Sequence, residues 1–419
     1  MSEKKAGSIS SFLGLGKARN ESGDQAGSTS AGGGLSGFFG RGKPAPGDSS
    51  ATPGNDVGKK PALAEQLRAR LKPAKPVLGI DISSMAVKLL EFSRDGNGYK
   101  VESYGVEPLP PNAISEHNIA DVDGVAEAIR RVVRRAKTKT KDAAVAVPAS
   151  AVITKTIQLV TAPNDAEMAG LVELEAPKYI PFPLSEINYD FEVLGPSEHD
   201  PALVDVLLVA SRAENVDMRS AALELAGLTA KVVDVESYAL EHALTLMAPQ
   251  MPNHGKNATV ALVDVGAVVT SVSVVRNMEI IYSREQDFGG KQLTEEIMRR
   301  FGMSYEEAGM AKRMGGLPPE YQRELLEPFK AAMAQQVLRA LQFFNASNEQ
   351  EDVDQVILAG GSAAISGVAG FISHQVGLPV VIANPVANMS LSDKVQRNNL
   401  QADAPALLTA CGLAMRGFD

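Results

Sequence analysis

The chain has 419 residues, 44% hydrophobic and 22% charged, with a formal net charge of -9; that is too long for one ordinary core and ample for two or more globular domains. The charge is uneven, with 12 Lys and Arg against 6 Asp and Glu in residues 1–76 and 29 against 44 in the remainder, so the acidic body argues against a nucleic-acid partner. The single cysteine, Cys411, cannot form an internal disulfide and suits a reducing, cytoplasmic setting, and no apolar run approaches the roughly 18 residues of a spanning helix, so any membrane association would be through a partner or peripheral.

Residues 1–60 contain 14 Gly, 10 Ser and 3 Pro, too little apolar surface to offset chain entropy, and are expected to be disordered. Within them Ser11-Phe12-Leu13-Gly14-Leu15-Gly16-Lys17 and Gly37-Phe38-Phe39-Gly40-Arg41-Gly42-Lys43 repeat one apolar-basic element. Gly32 to Gly37 satisfies GxGxxG and Gly37 to Lys43 satisfies GxxxxGK, but no strand precedes either and Pro44 occupies the Ser/Thr position of a phosphate loop, so both matches are accidental. Leu63, Leu67 and Leu71 then mark a short basic linker helix over 61–72.

Residues 77–91 read as a β-hairpin with Asp81 near its tip, and residues 260–275 repeat the unit around Asp264. After the first hairpin come a strand at 99–106, a helix at 122–136 with Val125, Ala126, Ile129 and Val132 on one face and Arg130, Arg131, Arg134 and Arg135 on a solvated one, and a strand at 143–147. The pattern changes over residues 149–230, where strand 153–160, helix 165–179, strands 189–194 and 204–210 and helix 215–226 form a small inserted α+β module. Strand 230–235 and helix 237–248 resume the first domain. The second half, from 256, has the Asp264 hairpin, a strand near 279–284, helices at 293–301, 305–313 and 321–348, a strand ending in Gly360-Gly361-Ser362, and a closing helix at 405–415. Two halves built alike suggest two related α/β domains facing each other: 77–148 with 231–255, and 256–419 with a helical part at about 285–350.

Small residues at a hairpin tip let backbone N–H groups cradle phosphate oxygens, and Ser83, Ser84, Gly266 and Ala267 allow that approach. Asp81 and Asp264 would hold Mg²⁺ largely through water, and Gly360, Gly361 and Ser362 would let a ribose and base lie against the backbone before a helix N-terminus. Each turn alone marks only a turn. The three in this order point to a nucleotide.

These features resemble the actin-like ATPase superfamily, over about 77–418. Within it the chain is most similar to the PilM family of type IV pilus assembly, through Gly79-Ile80-Asp81-Ile82-Ser83-Ser84 with Val87-Lys88, Lys178-Tyr179-Ile180-Pro181-Phe182-Pro183-Leu184, Val232-Val233-Asp234-Val235-Glu236-Ser237-Tyr238, Gly289-Gly290-Lys291-Gln292-Leu293-Thr294, Leu358-Ala359-Gly360-Gly361-Ser362 and Gly412-Leu413-Ala414-Met415-Arg416-Gly417-Phe418. The resemblance implies an actin-like α/β fold with a small inserted α+β module. It also implies binding of ATP and Mg²⁺, with Lys88, Gly289, Gly290 and Lys312 in the nucleotide site and Glu236 orienting the hydrolytic water. A groove between the module and its parent domain, with Tyr179, Ile180, Pro181 and Phe182, would take the N-terminal cytoplasmic peptide of the membrane protein PilN, placing the chain at the cytoplasmic face of the inner membrane among other pilus assembly proteins and leaving self-association open.

Ser83 departs from the family's usual Gly, Val268 and Val269 from its hydroxyls, and Gly309 from a Glu that many superfamily members aim at the nucleoside. Each loss is worth about 1 kcal/mol of nucleotide contact, so binding with at most slow turnover is expected. The competing reading is a polymerising, FtsA-like actin homologue of cell division or the cytoskeleton. A sugar or acetate kinase would need a substrate pocket and an acid-base residue that the sequence does not display.

Overall fold

The computed structural model describes residues 75–198, 200–347 and 352–419. The repeated tail elements, the linker helix at 61–72 and the end of the helix expected to reach 348 lie outside these residues.

The first half opens with a meander of β1 (Leu78–Ile82), β2 (Ala86–Asp95) and β3 (Gly98–Pro108). All five residues of β1 are buried, as befits a central strand covered on both faces. A small hairpin, β4 (Ile114–Ser115) with β5 (Asn118–Ile119), leads to helix α1 (Val122–Ala136) and strand β6 (Asp142–Val147). Helix α1 starts where the Asp121 side chain accepts from the Gly124 amide (2.9 Å) and stops where Lys137 turns left-handed, φ 53°. Its arginines are ion-paired, Arg130 and Arg131 half-buried and Arg134 and Arg135 exposed: Arg131 and Arg135 donate to Glu107 on β3, and Arg130 and Arg134 to Glu127.

The module follows as β7 (Val152–Val160), α2 (Asp165–Glu175), β8 (Ile187–Pro196) and β9 (Leu203–Arg212), a three-stranded sheet in the order β7-β9-β8 with its own core around Val172, Ile180, Val206 and Leu208. Helix α2 gives way at Glu175 to a tighter turn, Ala176–Lys178, because Pro177 has no amide to extend the ladder. The next helix, α3 (Ala213–Leu225), groups with the module by sequence pattern, yet its Val216, Ala222 and Leu223 join the core of the first half beside Val125 and Ile129 of α1. Strand β10 (Thr229–Val235) and helix α4 (Glu236–Met247) complete this half.

The second half has β11 (Thr259–Val265), β12 (Thr270–Arg276), β13 (Glu279–Gln286), helices α5 (Gly290–Phe301), α6 (Tyr305–Met314) and α7 (Glu327–Ser347), then β14 (Gln355–Ala359), α8 (Val368–Val376), β15 (Val380–Ile382), β16 (Ser390–Leu391), α9 (Arg397–Asp403) and α10 (Leu408–Met415). A wide turn over Gln322–Leu326 introduces α7, with the Glu327 amide reaching the Gln322 carbonyl. The order β3-β2-β1-β6-β10 in the first sheet matches β13-β12-β11-β14-β15 in the second, antiparallel twice and then parallel twice in both. The internal duplication suggested by the two Asp-tipped hairpins is therefore a duplication of sheet topology.

One core runs through both halves. Leu90, Phe92 and Val101 of the first sheet, Val260, Leu262 and Ile357 of the second, and Leu408, Ala410, Cys411 and Ala414 of α10 form a single buried cluster. Helix α10 lies so close to β1 and α4 that a Cβ on Gly79 would sit 2.2 Å from the Ala410 carbonyl oxygen, and one on Gly412 1.7 Å from that of Ala239. β16 also crosses over, pairing in parallel with β3.

Candidate functional site

Asp81 and Asp264 are each the penultimate residue of the first strand of their hairpins, at the carboxyl ends of the parallel strands, where open α/β sheets place ligands. At the first tip Lys88, opposite Asp81 in the ladder, donates to Asp81 Oδ2 (2.8 Å) and to Ser83 Oγ (2.7 Å), while Ser83 Oγ donates to the same Asp81 oxygen (3.0 Å). Ser84 follows in the turn, closed by the Ser83 amide on the Ala86 carbonyl (3.0 Å).

At the second tip Gly266 and Ala267 are held by backbone. Their carbonyls accept from the amides of Gly290 (2.9 Å) and Lys291 (2.8 Å) at the start of α5. A Cβ on Gly289 would lie 2.4 Å from the Ala267 carbonyl oxygen, and one on Gly290 2.7 Å from Ser362 Oγ. Gly360, at φ +86°, brings its α-carbon against Asp264 and the Val265 carbonyl, and Gly361 follows it, exposed. Lys312 on α6 reaches the Gly290 carbonyl (2.9 Å) and Thr294 Oγ1 (2.7 Å). Thus Gly266, Gly290, Lys312, Gly360 and Ser362 converge. Thr294 joins them without having been expected from the sequence; its place in the Gly289 to Thr294 run, one turn into α5, was the available signal.

Charge joins the two tips. Burial would lower the Lys88 value, but Asp81, Asp264 and Glu236 together hold it above the usual lysine range. Burial pushes Asp264 up to about 6 against the pull of Lys88, with Asp81 adding to the rise. Glu236, the first residue of α4, is pushed up to about 7 by burial and by Asp81, opposed by Arg219 and Lys88, with Glu285 adding. Burial brings Lys312 down to about 8, helped by Arg313. Asp264 and Glu236 retain partial solvent contact, so solvent reaches the cleft between the two tips. Among the described residues no group of three or more His, Cys, Asp or Glu side chains is placed to hold a metal, so a cation between Asp81 and Asp264 would need oxygen from water or a phosphate.

The second feature is a cavity of about 470 Å³ between the module and the first half. Val152, Ile153, Ile180, Phe182 and Ile187 supply its apolar floor, and Glu116, His117, Asn118, Arg212 and Glu214 its polar rim. The Arg212 guanidinium lies 4.3 Å from the centre of the Phe182 ring. Of the four positions read from the Tyr-Ile-Pro-Phe run, Ile180 and Phe182 line this cavity; Tyr179, 39% exposed, and Pro181, also exposed, belong to the outer surface.

Two sheets of identical order joined by a shared core, with a cleft at their strand ends and a module inserted in the first, are the actin-like ATPase fold. The family model of the type IV pilus assembly protein PilM matches residues 79–418, and the chain belongs to that family. The solved PilM-PilN type IV pilus biogenesis complex contains a chain 29% identical to it, with a TM-score of 0.66, covering 83% of this chain and 100% of that one. More distant likenesses include the ethanolamine utilization protein EutJ from Carboxydothermus hydrogenoformans (16% identity, TM-score 0.48, 84% of this chain and 98% of that one) and MreB 5 of Spiroplasma citri bound to AMPPNP (12%, 0.42, 82% and 95%). Among the described residues no helix is long and apolar enough to cross a membrane.

Proposed function

We propose that this type IV pilus assembly protein is a nucleotide-binding adaptor, taking ATP with Mg²⁺ in the cleft and the N-terminal cytoplasmic peptide of PilN in the groove beside the module. The observation that carries the reading is the groove: an apolar floor with a polar rim, open to an extended peptide, in a chain similar along the whole length of one solved with PilN. PilN would hold the protein at the cytoplasmic face of the inner membrane.

The cleft residues fit a nucleotide. The close approaches at Gly266, Gly289, Gly290 and Gly360 bring the second tip, the start of α5 and the Gly360 turn together with no Cβ between them, and Lys88 keeps a third N–H beyond its bonds to Asp81 and Ser83 for a phosphate oxygen. Asp81 and Asp264 would orient the hydration shell of Mg²⁺, whose charge offsets that of the phosphates. Glu236 would orient a water. With its carboxyl near 7 it is partly protonated at neutral pH, which agrees with slow turnover at most.

Calorimetric titration of the full chain with a synthetic PilN tail peptide, with and without MgATP, tests the adaptor reading. Saturable binding is expected; undetectable binding in both conditions overturns it. Asp264→Ala should abolish Mg²⁺-dependent ATP affinity, and an unchanged affinity would remove Asp264 from the site.

A further inference from the structure

The cleft and the groove share a wall. Arg219 on α3 is only 3% exposed, and its guanidinium donates to three carbonyls on three different segments: Nε to Ala146 (2.8 Å), Nη1 to Asn215 (2.8 Å) and Nη2 to His117 (3.1 Å). Each of these segments helps to form the groove. His117 and Asn215 line it directly, and Ala146 is on β6, which runs through Pro148 into Ser150 and Ala151 of the lining.

The charge of the same guanidinium is felt at Glu236. Burial lowers its value and the charge of Glu236 raises it, while Arg219 in turn opposes the rise at Glu236. Ala146 pairs with Asp234 and Val147 with Val235, so β6 runs beside the strand end that delivers Glu236. A second strut crosses to the other half. The turn between β4 and β5 has Glu116 at φ 48° and His117 at φ 65°, and the His117 Nε2 lies 4.0 Å from Glu285 Oε2 on β13 of the second half. Glu285 also acts on Glu236. One short turn therefore forms the groove rim, accepts a bond from Arg219, and stands 4.0 Å from a carboxylate of the second half.

We propose that Arg219, with the His117 to Glu285 contact, couples nucleotide in the cleft to peptide in the groove, Arg219 being a positioning residue that sets the Glu116 to Asn118 rim. This rests on the adaptor reading above. Closure of the halves or a cation beside Glu236 changes the pull on the rim through both struts, and by linkage the peptide alters nucleotide affinity by the same factor. A turn held in left-handed conformations by outside bonds is a suitable two-state element, since it relaxes when they go.

The test is a thermodynamic square on the full chain: affinity for the PilN tail peptide with and without Mg²⁺-AMPPNP, and for the nucleotide with and without peptide. The wild type is expected to show a ratio between roughly 5- and 150-fold from one, equal in both directions. Glu285→Gln, on a side chain 36% exposed and so benign for folding, should bring the ratio at least threefold closer to one while each separate affinity stays within about twofold. Arg219→Gln should abolish the ratio and Arg219→Lys, keeping the charge without the fork, restore part of it. An unchanged ratio in Glu285→Gln and, if it folds, Arg219→Gln overturns the coupling, as does a wild-type ratio of one with both ligands bound. Failure of either ligand to bind wild type alone overturns the adaptor reading and the coupling with it.

Discussion

At the first hairpin tip a lysine, a serine and an aspartate bond to one another, and the loop keeps its shape through side chains. At the second tip, on a strand pair of the same topology, Gly266 and Ala267 are gripped by the amides of Gly290 and Lys291, and Gly360 presses its bare α-carbon against Asp264 and the Val265 carbonyl. One tip is organised by charge and the other by close backbone approach. The two therefore differ in what perturbs them: removal of charge or a hydroxyl at the first, addition of a single carbon at the second.

The largest contrast is expected from Gly360→Ala. Its φ of +86° disfavours any Cβ, and that carbon would stand 2.4 Å from the Val265 carbonyl oxygen, so denaturant unfolding should show a loss of about 3 kcal/mol or more. A loss below about 1 kcal/mol would mean that the second tip is no more constrained than the first.

Next in size is a pH effect bridging the tips. Asp264 and Glu236 have folded values of about 6 and about 7, above the ordinary 3.8 and 4.5. A carboxyl raised by folding stabilises the fold below its unfolded value, and that contribution is lost as pH rises through the folded one. Without nucleotide and divalent cation, stability should fall between about pH 4 and 7, with Asp264 contributing about 2 kcal/mol. Urea midpoints of Asp264→Asn should then change less between pH 5 and 8 than those of wild type; equal slopes would refute the assignment. The smallest effect is Ser83→Ala, which removes one bond from Lys88 and one to Asp81 at a partly exposed site and should cost about 1 kcal/mol in the same assay.

The parts of this architecture that local pattern encodes are legible in the chain itself. Both hairpins, the order of the strands and the apolar face of α1 follow from periods of 2 and 3.6, and the glycines of the second tip stand in short, contiguous motifs. Arg219 is not legible. In sequence it is one basic residue in a helix that reads as part of the module, and only the docking of α3 against α1 and β6 turns it inward. His117 and Glu285 stand far apart in the chain and carry no spacing signal. Helix α10 is legible as a helix of small residues, but its destination on the first half is set by Gly79, Ala239 and Gly412, three positions whose complementarity exists only in three dimensions.

The seat of α10 also bears on how the chain is made. Gly79 and Ala410 are on the order of 300 residues apart, so the contact closes late and at a substantial entropic cost. During synthesis the first sheet waits with an open slot, shaped to admit backbone and nothing bulkier, until the whole second half has left the ribosome. The halves are thus clasped in the order opposite to translation: what is made early is finished last.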